Sequence, residues 1–456
     1  MAGMDQRVAA SYDSSFYPFA EEVDGHYDVL VIGAGISGLV AARQLQQAGK
    51  RVVILERAED AGGLQRSRTI GGFTFDLGSF ILGAGDPFFR LFPTAVAGCV
   101  PISASVQKLS PHGNVCRYPF DAREDLLRHS IVYQIAAVAS LLLDKLRFAK
   151  AGDTEQFIRA HTGGWLFRRT GLEQYVERMF GCPSHVLSLS FARRRLSWIQ
   201  NAGSLRRRLK TFRVAPPASA HPVARPREGF ERMFDSAIEE LMASGVRIEF
   251  GVDISGLSDE AGVKRAQVHG RGSITADTVI STAPPSATLR MLGDDTHVAL
   301  EYVSLLTLYF TASADRLFDS AILYNFSDDP SWKRLTVHSD YYGVVGERAY
   351  FSVEVPYRGA APTLDEAASR VTRHLEKRGL FTDMKLIGHD HTAFAYPIHD
   401  GAAEARLADA HGRLAAFGIH TLGRQGQFDY LATGRATAQN AIGFVDDLLV
   451  PARPAP

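Results

Sequence analysis

The chain has almost no cysteine: Cys99, Cys116 and Cys182 lie far apart among 456 residues, with no C-x-x-C pair. Such spacing excludes a disulfide framework or a zinc site as the organising feature, so each cysteine is expected to be a small buried apolar residue and no metal is expected. Net charge is missing too, because 50 Lys and Arg balance 50 Asp and Glu. Nothing global selects a nucleic acid or an anionic surface, and no nucleic-acid partner is expected. No apolar run reaches the roughly 18 to 20 residues that span a bilayer. The opening MAGMDQRVAASYDSSFYPFAEEVDG has no apolar core of the secretory kind, which makes cytoplasmic the expected location. No internal repeat is visible, and oligomeric state is left open.

What is present reads as a folded chain, 46% hydrophobic and 22% charged, long enough for two or three domain-sized units. Its most apolar run, IVYQIAAVASLLL at 131–143, is expected to be a core helix. The neighbouring DKLRFAK adds basic and aromatic residues, which keeps a peripheral membrane contact as the less favoured alternative. The basic runs Arg193–Arg195 and Arg206–Arg208 fit a solvated helical face better than an anionic partner.

From Tyr27, the stretches YDVLVI, GAGISGLVAARQLQQAG and KRVVILE give strand, glycine turn with helix, and strand: a βαβ unit. Between Asp121 and Arg208 the apolar spacing is helical, and proline-rich RVAPPASAHPVARPREG then forms a loop. EYVSLLTLYFTAS, AYFSVEVPY and TAFAYPI are rich in β-branched and aromatic residues, as in an antiparallel sheet. The fold class expected is α/β: a Rossmann-like dinucleotide domain assembled from 24–105, 225–290 and 400–450, with an inserted α+β substrate domain. The insertion comprises a helical part at 106–224 and a sheet at 291–399.

In GAGISG, Gly33 permits the tight turn, Gly35 lets the backbone approach a pyrophosphate, and Gly38 lets helix and strand pack closely. Glu56 ends the next strand, where a carboxylate takes ribose hydroxyls and repels a 2′-phosphate. NADP is disfavoured there, while NAD and FAD both remain open. No second glycine fingerprint follows a strand, although NAD(P)H as a reductant stays open.

The stretch ERAEDAGGLQRSRTIGGFTFDLGS resembles the second signature of the flavin-dependent amine oxidase superfamily, matching at Gly62, Gly63, Asp76 and Gly78. The resemblance is strongest to the branch of UDP-galactopyranose mutases and protoporphyrinogen-oxidase-like proteins. CRYPFD, GLEQYVERMFGCPS, ARPREGFERMF, VISTAPP, NFSDDPSWKRLTV, AYPI and GRQGQFDY follow in that branch's order. It implies FAD, with Gly62 and Gly63 along the diphosphate, the Asp76–Gly78 turn near the isoalloxazine, Val252 at the adenine end, and Gly423 and Arg424 approaching the ring. Ile36, Ser37, Arg57, Leu64, Ser79, Tyr430 and Leu431 complete the implied cofactor set. The helix after DYLATG would then aim its amides at the flavin.

An FAD-dependent oxidoreductase passing hydride to flavin N5 from a small or medium organic substrate is expected. The alternative is a redox-neutral mutase acting on a nucleotide sugar; a flavin-binding protein without chemistry is a third class. The mutase resemblance makes Arg334 a diphosphate-gripping arginine. Phe80 stands where that pattern carries a histidine, and YLATG replaces its acidic residues, both of which favour a less polar substrate. Tyr324, Arg334 and Tyr396, with Tyr341 and Tyr342 beside them, are the candidate pocket residues, since the middle sheet would face the flavin.

Overall fold

Four buried residues, Val52–Leu55, and the inward run Leu30–Ile32 make the short apolar strands that only a sheet covered on both faces accommodates. In the computed structural model, which describes residues 23–78, 82–83, 85–102, 105–196, 199 and 223–450, they form the centre of such a sheet. His26–Ile32 pairs in parallel with Val52–Leu55 on one side and Gly272–Ser281 on the other. Arg247–Glu249 extends the sheet beyond Val52–Leu55, and Ile419–Thr421 pairs with Gly272–Ser281. The antiparallel strands Ile254–Glu260 and Val263–Val268 complete it. Helix Ile36–Gln47 buries Leu39, Val40 and Leu45 against one face, beside helices Phe230–Ala243 and Gly434–Leu449. The dinucleotide layer is thus built from three separated stretches of chain.

A second sheet runs in the order Lys385–Pro397, Tyr302–Ser313, Arg348–Tyr357, Arg334–Val337, Ile322–Asn325, Val106–Leu109, Val115–Arg117. Its pairs are antiparallel except Ile322–Asn325 with Val106–Leu109. The stretch expected as a helical insertion therefore begins with two strands of the substrate sheet. They are too short to show alternation in sequence. Its other end, Val223–Pro226, joins Leu82–Gly83 and Cys99–Pro101 in a small sheet. Between them lie helices, of which Thr154–Thr162, Gly164–Arg169, Leu172–Phe180 and Leu189–Arg195 pack around Phe157, Phe167, Val176 and Phe191.

One expectation is corrected. Helix Ile131–Arg147 is not a core helix: it buries only Ala137 and Asp144, and its large apolar residues face outward. Amphipathic spacing fixes that such a face exists, not that protein covers it. No helix among the described residues is long and apolar enough to cross a membrane.

The cysteines are free: Cys182 is buried, and Cys99 and Cys116 are half-buried. Burial pushes their thiols up to about 11, about 12 and about 11 for Cys99, Cys116 and Cys182 respectively. Such thiols are packing groups rather than nucleophiles. Arg193 and Arg194 are exposed, and Arg194 pairs with Glu404 at 3.6 Å, as a solvated face requires. Arg206–Arg208, Ser79 and Phe80 lie outside the described residues.

Candidate active site

At the end of the first strand the chain turns through Gly33 at φ +106° and enters the helix at Ile36. A Cβ on Gly33 would collide with the Thr282 hydroxyl, and one on Gly38 with the Gly33 carbonyl oxygen. Gly35 caps the helix with no side-chain hydrogen bond, so its first amides carry no protein carboxylate or hydroxyl. The second glycine pair approaches this turn: Gly62 bridges to Gly35, and a Cβ on Gly63 would lie 3.3 Å from the Gly35 Cα. Glu56 sits beside the loop, its carboxylate accepting from the Ala34 amide at 2.7 Å and the Ala58 amide at 2.8 Å. Val252 is buried next to it and donates its amide to the Glu56 carbonyl at 2.9 Å. Arg57 is exposed and Leu64 half-buried along the same edge.

The far end of the chain closes this cradle. Gly423, at φ +78°, is pressed against Ser37, so tightly that a Cβ there would overlap the serine side chain. Gly434, the first residue of the last helix, lies so close to Leu82 and Ile36 that a Cβ on it would touch both. Two helix N-termini therefore converge, bringing two positive dipole ends to one place; the second is capped by Thr433, whose Oγ1 accepts from the Ala436 amide at 3.1 Å. Two buried polar atoms nearby, Gln65 Oε1 and Arg424 Nε, have no protein partner. This glycine-lined cradle, with backbone amides and two unpartnered polar side-chain atoms, fits a dinucleotide diphosphate followed by a hydrogen-bonding ring.

Next to Gly423, the Arg424 guanidinium lies over Tyr396 at 4.8 Å and Tyr430 at 5.0 Å, and donates to the Ala395 carbonyl at 2.5 Å. Leu431 is buried behind them. Tyr396, on Lys385–Pro397, receives a hydrogen bond from Lys333 Nζ at 2.5 Å. Lys333 also pairs with Glu354 at 2.8 Å, and both are almost fully buried. Arg334 grips the same carboxylate through Nε at 3.1 Å and a second, shorter bond from Nη2. Tyr324 stacks on Tyr118 with ring centroids 4.6 Å apart, and Tyr118 shares a hydroxyl bond with Tyr175 at 3.2 Å. Tyr175 stacks in turn on Phe326. The site is an aromatic box around one carboxylate and three cations.

Burial alone would raise the Tyr396 phenol, but Lys333, helped by Arg334 and Arg424 against Glu354, holds it below its ordinary value. Burial would likewise raise Glu354, and Arg334 and Lys333 reverse that and keep its carboxyl low. Tyr430 goes the other way, since burial and Tyr396 raise it. Two neighbouring phenols thus have opposite proton affinities, the arrangement that separates acid from base roles.

A second buried cluster surrounds the Asp76 turn. Asp76 is fully buried and ion-paired with Arg225, while Ser67 Oγ donates to it at 2.7 Å and Tyr342 Oη at 2.9 Å. His338 approaches it at 3.5 Å and bonds Ser352 at 2.8 Å; burial and then Arg225 hold its imidazole well below its ordinary value. Arg225 also covers the Tyr341 ring at 4.2 Å. Gly78 is buried just beyond.

The expected catalytic residues Arg334, Tyr324 and Tyr396 therefore meet in one box, which Tyr430 and Arg424 share. Tyr341 and Tyr342 instead belong to the Asp76 cluster. Sequence reasoning missed Lys333, Glu354, Tyr118, Tyr175 and Arg225. All five stood in quoted stretches: Lys333 in WKRLTV, Glu354 in AYFSVEVPY, Tyr118 in CRYPFD, Tyr175 in GLEQYVERMFGCPS and Arg225 in ARPREGFERMF. No group of His, Cys, Asp and Glu among the described residues could hold a metal.

A parallel sheet whose glycine turns form a cradle closed by the start of the C-terminal helix, beside a second, largely antiparallel sheet, defines a dinucleotide-binding α/β fold. The profile of the flavin containing amine oxidoreductase family matches residues 36–305, and the chain belongs to that family. Its cofactor is FAD, and it is an enzyme. Among solved structures, reduced UDP-galactopyranose mutase superposes with a TM-score of 0.77 at 20% identity, covering 93% of this chain and 94% of that one. Curated relatives match locally. An inactive all-trans-retinol 13,14-reductase of Danio rerio is 47% identical over 14% of this chain and 11% of its own length. A 4,4′-diapolycopene oxygenase of a Methylomonas species is 42% identical over 18% of this chain and 17% of its own length. The matches thus span less than a fifth of those relatives.

Proposed function

We propose that the chain is an FAD-dependent dehydrogenase or oxidase that takes a hydride from a carbon–nitrogen or carbon–carbon unit of a small or medium organic substrate of low polarity. FAD held in the glycine cradle supplies the two-electron acceptor. The observation that carries the reading is the commitment of Arg334 to Glu354. A mutase acting on a nucleotide sugar needs that guanidinium for the diphosphate; here a buried carboxylate already occupies it. The walls that remain, Tyr118, Tyr175, Tyr324 and Phe326, favour an apolar or weakly polar substrate. The local matches to a retinol-reductase relative and a diapolycopene oxygenase support the same polarity.

Tyr396 is the residue assigned to proton transfer. Its Oη, held by Lys333 and surrounded by Arg334 and Arg424, is poised to accept the proton that leaves the substrate atom next to the oxidised carbon. Lys333 orients the phenol and offsets the charge that it carries. Gly33, Gly35 and Gly38, with Glu56, Gly62, Gly63 and Val252, hold the nucleotide end, and Gly423, Arg424 and the last helix close the ring end.

The test offers oxidised holoenzyme a panel of amines and apolar alkenes without oxygen, and offers chemically reduced enzyme nucleotide sugars. Bleaching of the flavin by one of the first group is expected. Conversion of a nucleotide sugar without net flavin oxidation would sink the oxidoreductase reading in favour of the mutase.

A further inference from the structure

Helix Ile131–Arg147 carries an apolar face that no other part of the described chain covers. Ile131, Val132, Ile135, Leu142, Leu143 and Leu146 are between 60% and 79% exposed. At about 3.6 residues per turn they fall within an arc of about 120°, with Lys145 and Arg147 about 40° beyond its two edges. The opposite face is fastened to the protein: Asp144 accepts from the Gly164 amide at 2.6 Å and pairs with Arg159 at 3.2 Å, and Ser140 accepts from the Trp165 amide at 3.0 Å. The helix is held rigidly with its apolar side out.

Charge around the face has one sign. Between 123 and 150 the exposed charged residues are Arg123, Arg128, Lys145, Arg147 and Lys150, all basic. The acids of that stretch are buried and answered within the protein: Glu124 by Arg128, Asp125 by Lys108 and Asp144 by Arg159. On the helix itself the exposed charges are Lys145 and Arg147, one beyond each edge of the apolar arc. A soluble protein seldom leaves such a stripe to water.

We infer that this face docks in the interface of an anionic lipid bilayer, with the apolar arc among the acyl chains and the basic rim on the headgroups. A second copy of the chain fits less well, because it would bring an identical basic rim against this one. The helices beneath, Thr154–Thr162 and Gly164–Arg169, share their core with Tyr175 and Tyr396. The inference stands on the surface alone and does not depend on the reaction assigned to the box.

The test uses the full-length holoenzyme and sedimentation with vesicles of phosphatidylcholine, alone or with about one-third phosphatidylglycerol. Binding to the anionic vesicles, weaker binding to the neutral ones and release by salt are expected. Leu142→Ser with Leu146→Ser should abolish binding while leaving the flavin spectrum and melting temperature unchanged. Lys145→Glu with Arg147→Glu should weaken it by at least about tenfold. Wild-type protein that stays in the supernatant with anionic vesicles at low salt overturns the proposal. So does a Leu-to-Ser variant that binds equally well, or a concentration-dependent dimer that those substitutions dissolve and vesicles do not.

Discussion

Tyr396 is a buried phenol whose acidity depends on a lysine 63 residues away in the chain. Tyr396→Phe should lower the rate of substrate oxidation by roughly a hundredfold or more while the protein keeps its flavin absorbance, as anaerobic stopped-flow reduction can measure. Because the folded phenol is held low, activity should rise with pH through that lowered value. Lys333→Met removes the largest of the charges that oppose burial and should move the rise to higher pH. Glu354 sets a stability window: its folded pKa lies below the ordinary 4.5, so its contribution is present above that value and lost as pH falls through the folded one. Glu354→Gln strands two buried cations, and Arg225→Met strands Asp76. Each should cost about 3–5 kcal/mol in denaturant unfolding at neutral pH. None of these partnerships was legible in sequence, because they join strands and turns far apart in the chain. Arg334 was legible as a residue but not as one already occupied.

At the scale of elements, the glycine turns were the most legible features, because their reasons are local. Gly38 leaves no room for a methyl group against the Gly33 carbonyl, and that follows from the spacing of GAGISG itself. Gly38→Ala should yield protein that retains little flavin after gel filtration, read by absorbance. Gly423→Ala should do the same for two reasons, overlap with Ser37 and a left-handed backbone. Adding Ser37→Gly relieves only the first, so the double variant should recover part of the flavin and not all. Helix 131–147 shows the limit of pattern reading. Its apolar run gave the right element, a helix, but the wrong setting, because apolar content says nothing about which neighbour, if any, lies against it.

In the whole molecule, the cradle draws on 33–63, on Val252 and on 423–434, while the aromatic box draws on the second sheet, on helix Leu172–Phe180 and on Arg424 and Tyr430. Binding at such a junction stabilises every contributor at once. FAD at about a hundred times its dissociation constant should add about 2.7 kcal/mol, seen as a higher melting temperature that falls when the flavin is stripped. The βαβ start of the first sheet and the long strands of the second were readable from their periods, whereas the strands Val106–Leu109 and Val115–Arg117 were hidden by their brevity. The contact between Gly423 and Ser37 sets an order on biosynthesis. A ribosome releases the glycine turn and Glu56 well before the backbone at 423–434 that shuts the cradle. Nascent chains arrested before residue 423 should fold much of the parallel sheet and still come off the ribosome colourless, so flavin retention reports that the segment from 423 onward has been made.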